Sequence, residues 1–161
     1  MYDKSSYRQC VGITVFNPDG NIWIGKRSNM YGRKRIWQMP QGGINDGEIP
    51  LDAAKRELFE ETGLKNVKFI RDCSKWLQYD FPKEILIHKN YIGQNQKWHL
   101  FYFQGSNQEI NLNISNKPEF CEWKWSTISN AIDQVISFKK NVYVSLFDEF
   151  GPLIKINTKS L

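Results

Sequence analysis

The chain contains no stretch approaching the ~20 apolar residues that a bilayer-spanning helix needs. Its first ten residues, MYDKSSYRQC, lack the apolar core of a secretory signal. Neither a membrane span nor export is therefore expected. Cysteine is scarce: Cys10, Cys73 and Cys121 form an odd set with no CxxC spacing. That argues against a disulfide framework and against a zinc site, and it fits a reducing cytoplasm. His88 and His99, the two histidines, stand apart and show no metal-ligand pattern. Repeats, low-complexity tails and interdomain linkers are also lacking. The 161 residues read as one domain, 1–161, long enough to bury a real core. What is plentiful is aromatic and apolar: 14% and 40% of the residues, a globular rather than a disordered composition. The net charge of +5 suits phosphate-rich substrates or RNA. A genome biased toward Lys, Asn and Ile gives the same balance, so charge alone decides little.

Periodicity supplies a coarse map. Tyr7 to Phe16 reads as a strand, Asn17-Pro18-Asp19-Gly20 as a turn, and Asn21 to Arg27 as a second strand closing a hairpin. Residues 28–35 are polar and basic and read as a loop. Ile36 to Pro40 is a short strand that leads into a Gly-Gly turn. Val67 to Tyr79 is extended, and Asp80 to Asn95 is loop-like, with Pro82 and Gly93 as breakers. Lys97 to Gln104 is apolar on both faces, as a central strand is. Residues 106–117 read as a polar loop and Glu122 to Trp125 as a strand. Ile128 to Val135 and Phe138 to Phe150 are expected to be helices.

The most informative segment is 42–64, GGINDGEIPLDAAKRELFEETGL. A glycine turn runs into a short helix, with Pro50 suited to its first turn and Gly63 to the residue past its end. Leu51, Ala54 and Leu58 share a face that can pack on a sheet. Glu57, Glu60 and Glu61 stand at i, i+3 and i+4 on another. Like charges so placed cost a helix roughly 0.2–0.5 kcal/mol per pair, and a divalent cation removes that cost. Hard oxygen ligands favour magnesium or manganese bridging carboxylates and phosphates. Arg56, four residues before Glu60, can orient it or offset its charge.

Position for position, this segment carries the pattern G-x5-E-x7-R-E-U-x-E-E-x-G-U, with U aliphatic, and so resembles the Nudix hydrolases. The resemblance implies an α/β/α sandwich with a mixed central sheet, the box helix and a C-terminal helix. It also implies hydrolysis of a nucleoside diphosphate linkage by metal-dependent attack of water. Glu57 and Glu61 become the first ligand candidates, and Glu60 a ligand or the base that positions the water. A backbone carbonyl near Gln41 or Gly42 completes the shell, because the Gly-Gly turn lets backbone approach closely. Glu48 supports the loop–helix geometry.

Further segments narrow the resemblance: Tyr7-Arg8, Trp37 to Ile44, Gly93 to Trp98, Pro118-Glu119-Phe120 with Trp123-Lys124-Trp125, and Ser137 to Tyr143. Together they are similar to the bacterial RNA pyrophosphohydrolases, a branch related to dinucleoside polyphosphate hydrolases. That branch removes pyrophosphate from triphosphorylated RNA 5′ ends and leaves a monophosphate that exposes the transcript to decay. By this resemblance Glu119 is a fourth acidic ligand or base. Arg8, Gln41 and Gly43 meet the phosphates, and Arg27 and Phe138 sandwich a base with Ile136 and Lys139 nearby. The partners implied are RNA 5′ ends or dinucleoside polyphosphates, with a monomer expected. A dinucleoside polyphosphate hydrolase and a non-catalytic nucleotide-binding module remain alternatives.

Overall fold

The computed structural model describes residues 6–31 and 34–159. The start of the N-terminal segment, residues 1–5, lies outside them. Among the described residues eight strands form one mixed sheet: β1 (Tyr7–Phe16), β2 (Ile22–Tyr31), β3 (Lys34–Gln38), β4 (Gln41–Gly43), β5 (Lys68–Asp72), β6 (Leu77–Asp80), β7 (Gly93–Tyr102) and β8 (Phe120–Ser126). The helices are α1 (Pro50–Thr62), α2 (Lys83–Leu86), α3 (Ile128–Gln134) and α4 (Lys140–Lys159).

The sheet is organised on β1 and β7, which pair in parallel from Tyr7↔Gly93 to Phe16↔Tyr102. The other pairings are antiparallel. Two short strands lie against the N-terminal halves of this central pair: β4 on β1 at Cys10 to Gly12, and β6 on β7 at Gly93 to Gln96. They build the floor from which the functional cleft rises.

Alternation along β1 sends Val11, Ile13 and Val15 to one face, where they pack with Ala53, Ala54 and Leu58 of α1. Trp98 and Leu100 of β7 go to the opposite face and meet Tyr143, Leu146 and Phe150 of α4. Each face of the sheet is thus covered by helix, giving the expected α/β/α sandwich.

Sequence and structure part at several elements. Residues 28–31 and 34–35 are strand rather than loop, because β2 and β3 continue pairing through Met30↔Arg35 and Tyr31↔Lys34. Hydrogen bonding between the two backbones does not require apolar side chains. Residues 32–33 of that expected loop lie outside the described residues. The extended stretch 67–79 is two strands, since β5 and β6 occupy different halves of β7. The expected loop 80–95 includes α2 and the start of β7. A 3-10 turn, Ser137–Lys139, precedes α4, which runs past Gly151 and Pro152 to Lys159. Leu153 and Ile154 continue the buried stripe of Leu146, Phe147 and Phe150, and that packing overrides the Gly-Pro stop signal.

Candidate active site

The loop into α1 is built around one guanidinium. Arg56 donates from Nε and Nη2 to the two oxygens of Glu48, both at 2.9 Å, and from Nη2 to the Gly43 carbonyl at 2.9 Å. The Asn45 backbone N–H also donates to Glu48, at 3.1 Å. The Arg56 guanidinium, together with that N–H, holds the Glu48 carboxyl down at about 2. Glu48 therefore ties loop to helix, and this contribution is lost only as the pH falls through that low value. At the other end Gly63 adopts φ 77° and its N–H donates to the Phe59 carbonyl, closing the helix.

α1 presents Glu57 and Glu61 to a cleft of about 270 Å³. Glu119, just before β8, faces them across it. Glu60 does not line the cleft; its side chain is 48% exposed and pairs with Arg56 at 3.4 Å. At 100° per residue, i+3 and i+4 fall on opposite flanks of residue i, and here Glu61 follows Glu57 inward while Glu60 turns toward Arg56. Gly42 and Gly43 let backbone approach these groups. A Cβ on Gly42 would collide with the Glu57 carboxylate, and one on Gly43 with the Arg8 guanidinium.

Basic side chains complete the walls: Arg8, Arg27, Lys89 and Lys139. Arg27 pairs with Glu119 at 3.6 Å and donates to Gln38 at 3.4 Å. Lys139 is buried, with its ammonium 3.0 Å from Gln38 Oε1 and 3.5 Å from Gln41 Oε1. Burial, reinforced by the Arg27 charge, brings its pKa down to about 7. Gln41 also joins Gln94 and Gln96 in an amide cluster.

Of the expected base-binding set, Arg27 and Lys139 reach the cleft, whereas Ile136 and Phe138 do not line it. A 3-10 turn rotates successive residues by about 120°, so one residue of Ser137–Lys139 faces the cleft, and it is Lys139. The Phe138 ring instead backs that of Tyr79, with centroids 5.7 Å apart. Tyr79, Phe81, Lys89 and Gln94 line the cleft without having been singled out from sequence. The aromatic and basic residues between Tyr79 and Lys89, at a strand end running into a loop, were the available signal.

Do these donors fit a hard divalent cation? Glu61 Oε2 is buried with no hydrogen-bond partner. Burial, then the nearby charges of Glu119 and Glu57, pushes the Glu61 carboxyl well above the usual range. Burial likewise raises Glu57, against the pull of Arg56. Crowded, desolvated carboxylate oxygens of this kind are donors of the type that suits a hard divalent cation. Their placement is looser than their chemistry. Arg56 holds Glu57 at 3.0 Å, Arg27 draws Glu119 away, and among the described residues no three His, Cys, Asp or Glu side chains converge as a ready ligand cluster. The oxygens fit a hard cation in kind.

A stability prediction follows from Glu61. A carboxyl whose folded pKa is raised favours folding when protonated, and that advantage is lost as pH rises through the folded value. Glu61→Gln, a neutral isostere, should therefore melt higher than the wild type at pH 8 in chelator. The difference should shrink in acid, as wild-type Glu61 itself takes up a proton. Melting curves across pH check this; a variant that melts lower at pH 8 contradicts the strained carboxylate.

The NUDIX domain family model matches residues 6–146. The chain is 46% identical over 155 residues to an RNA pyrophosphohydrolase of Bartonella clarridgeiae, covering 89% of this chain and 90% of the relative. It is 43% identical over 157 residues to an RNA pyrophosphohydrolase of the Wolbachia of Brugia malayi, covering 96% of each. Among solved structures, the E. coli dihydroneopterin triphosphate pyrophosphohydrolase superposes with a TM-score of 0.68 at 19% identity, over 89% of this chain and 97% of the other. A C. elegans Ap4A hydrolase binary complex gives 0.62 at 18%, over 88% and 96%. The latter two likenesses concern the fold alone. The chain belongs to the Nudix family.

Proposed function

We propose that this chain is an RNA 5′ pyrophosphohydrolase, a single Nudix domain over 1–161 that converts a triphosphorylated RNA 5′ end to a monophosphate, releases pyrophosphate and so promotes transcript decay. The observation that carries the reading is identity of 43–46% to RNA pyrophosphohydrolases along nearly the whole of both chains. The cleft is consistent with it, since buried Glu61 and partly buried Glu57 and Glu119 face basic side chains across one small volume, as a phosphate chain with a metal requires.

A bound divalent cation, magnesium or manganese, supplies charge neutralisation and an acidified water. Glu57, Glu61, Glu119 and the backbone at Gln41 and Gly42 would hold it. Glu60 takes part as ligand or base only by swinging inward from Arg56. Arg56 positions Glu57 and keeps the loop attached to the helix. Arg8, Gln41 and Gly43 meet the phosphates from the β1–β4 side, and Arg27 and Phe138 take a base of the RNA between them, with Ile136 and Lys139 beside it.

Among the described residues no helix is long and apolar enough to cross a membrane. Cys10, Cys73 and Cys121 are free thiols, which supports a cytoplasmic setting, and we place the enzyme there as a monomer. Incubation of triphosphorylated RNA with the enzyme and magnesium should yield 5′-monophosphorylated RNA and pyrophosphate. Chelator should stop the reaction. RNA that keeps its triphosphate under both conditions would overturn the proposal.

A further inference from the structure

Gln38 does not line the cleft, yet its side chain touches two of the cations that do. It is the last residue of β3, pairs with Gly25 of β2 and is 1% exposed. Its Oε1 accepts from the Lys139 ammonium at 3.0 Å and from Arg27 Nη1 at 3.4 Å. Lysine and arginine side chains only donate, so the amide has one orientation here, oxygen toward the cations. That orientation has a cost. Gln38 Nε2 is buried, and among the described residues it has no hydrogen-bond partner. A glutamine kept for its own hydrogen bonding would not leave its NH2 group stranded.

The backbone that carries this amide is held from two sides. The Met39 N–H donates to the Tyr143 hydroxyl at 2.7 Å, and the Ile13 N–H to the Pro40 carbonyl at 2.9 Å. Lys139 stands just before α4, and fully buried Tyr143 stands in its first turn. The start of α4 therefore grips residues 38 and 39 twice, once through each side chain. Arg27 and Lys139 repel one another: after burial, the Arg27 charge is what lowers the Lys139 pKa. Their other acceptors are more distant, Glu119 at 3.6 Å for Arg27 and Gln41 Oε1 at 3.5 Å for Lys139. A carboxylate in place of Gln38 would cancel charge that an anionic substrate can use. A neutral amide oxygen holds both cations and leaves both charges standing.

We propose that Gln38 is a positioning residue: its Oε1 holds the Arg27 guanidinium and the Lys139 ammonium together at the cleft wall, in place before the substrate arrives. It never touches the substrate and acts through those two side chains, by sparing the substrate the cost of ordering them. This role rests on the pyrophosphohydrolase reading, which supplies an anionic nucleotide substrate.

Steady-state kinetics on a triphosphorylated RNA and on diadenosine tetraphosphate, with melting curves, test it in Gln38→Met and Gln38→Asn. Met fills a similar volume without a strong acceptor. Asn keeps the amide and withdraws its oxygen by one methylene. Cations that bind ground state and transition state alike set KM rather than kcat. Either variant should therefore raise KM by about tenfold or more, the scale of a hydrogen bond to a charged group, with kcat within about threefold of wild type. In an Arg27→Met/Lys139→Met background the same substitution should change KM by less than about twofold, because its partners are already gone. A merely structural Gln38 gives another pattern: a lower melting temperature, kcat falling with the folded fraction, KM unchanged, and the same loss in the background without the cations. That pattern, or failure of both variants to fold, overturns the role. Wild type that cuts the dinucleotide and leaves the RNA intact ends the RNA reading, and Gln38 is then judged on the dinucleotide. Wild type that turns over neither overturns both.

Discussion

Glu57→Gln should fold normally and lose most of its turnover, with kcat down by about a hundredfold or more, ~2.7 kcal/mol in barrier. Glu57 sits in the cleft with its side chain only 15% exposed, facing Gly42, the glycine whose missing Cβ gives it room. Gln keeps the volume and removes the charge that a cation needs. Stability should survive, because Arg56 retains both contacts to Glu48 and its bond to the Gly43 carbonyl. Loss of a buried charge also removes a desolvation cost. A folded variant that keeps more than about a tenth of wild-type kcat, a loss under ~1.4 kcal/mol, would remove Glu57 from the essential ligands.

Saturating magnesium or manganese should raise the melting temperature by about 5–10 °C. A ligand at about a hundred times its Kd stabilises the folded state by ~2.7 kcal/mol, and a domain of this size gains about 2–4 °C per kcal/mol. The unpartnered Glu61 Oε2 and the raised Glu57 and Glu61 carboxyls are where that energy enters. Sodium chloride at equal ionic strength should give a much smaller shift, and Glu61→Gln should lose most of the magnesium effect while starting from a higher melting temperature. No shift with magnesium, with or without nucleotide, would remove the metal role from these carboxylates.

The local signals in the sequence read well where one physical cause dominates. The box helix, its Pro50 start and its Gly63 end are set by capping chemistry, and the structure has them at Pro50–Thr62 and Gly63. β1 follows from alternation and runs over the same residues, Tyr7–Phe16. Elements were misread where pairing decides. The polar ends of β2 and β3 are strand because each supplies the other's hydrogen bonds, and α4 passes Pro152 because its apolar stripe continues.

The site divides in the same way. Spacing on one helix put Glu57 and Glu61 together, but it could not say which way Glu60 turns, since that depends on where α1 meets the sheet. Arg8, Gln41 and Glu119 are far apart in the chain, and only the folded sheet gathers them around one cleft. Phe138 packs its ring against Tyr79, itself a lining residue of the cleft, a contact between distant strand and turn that no local signal in the sequence reveals. Tyr79, Phe81 and Lys89 carry a local signal only as aromatic and basic residues at a strand end, and the folded sheet is what brings them to the cleft.

The most direct measurement compares kcat/KM on a triphosphorylated RNA with kcat/KM on diadenosine tetraphosphate, in magnesium and with the same enzyme. An RNA pyrophosphohydrolase is expected to favour the RNA and to release pyrophosphate from it. A dinucleotide preference of more than about tenfold, ~1.4 kcal/mol in barrier, would contradict that assignment and leave the same cleft to a dinucleoside polyphosphate hydrolase.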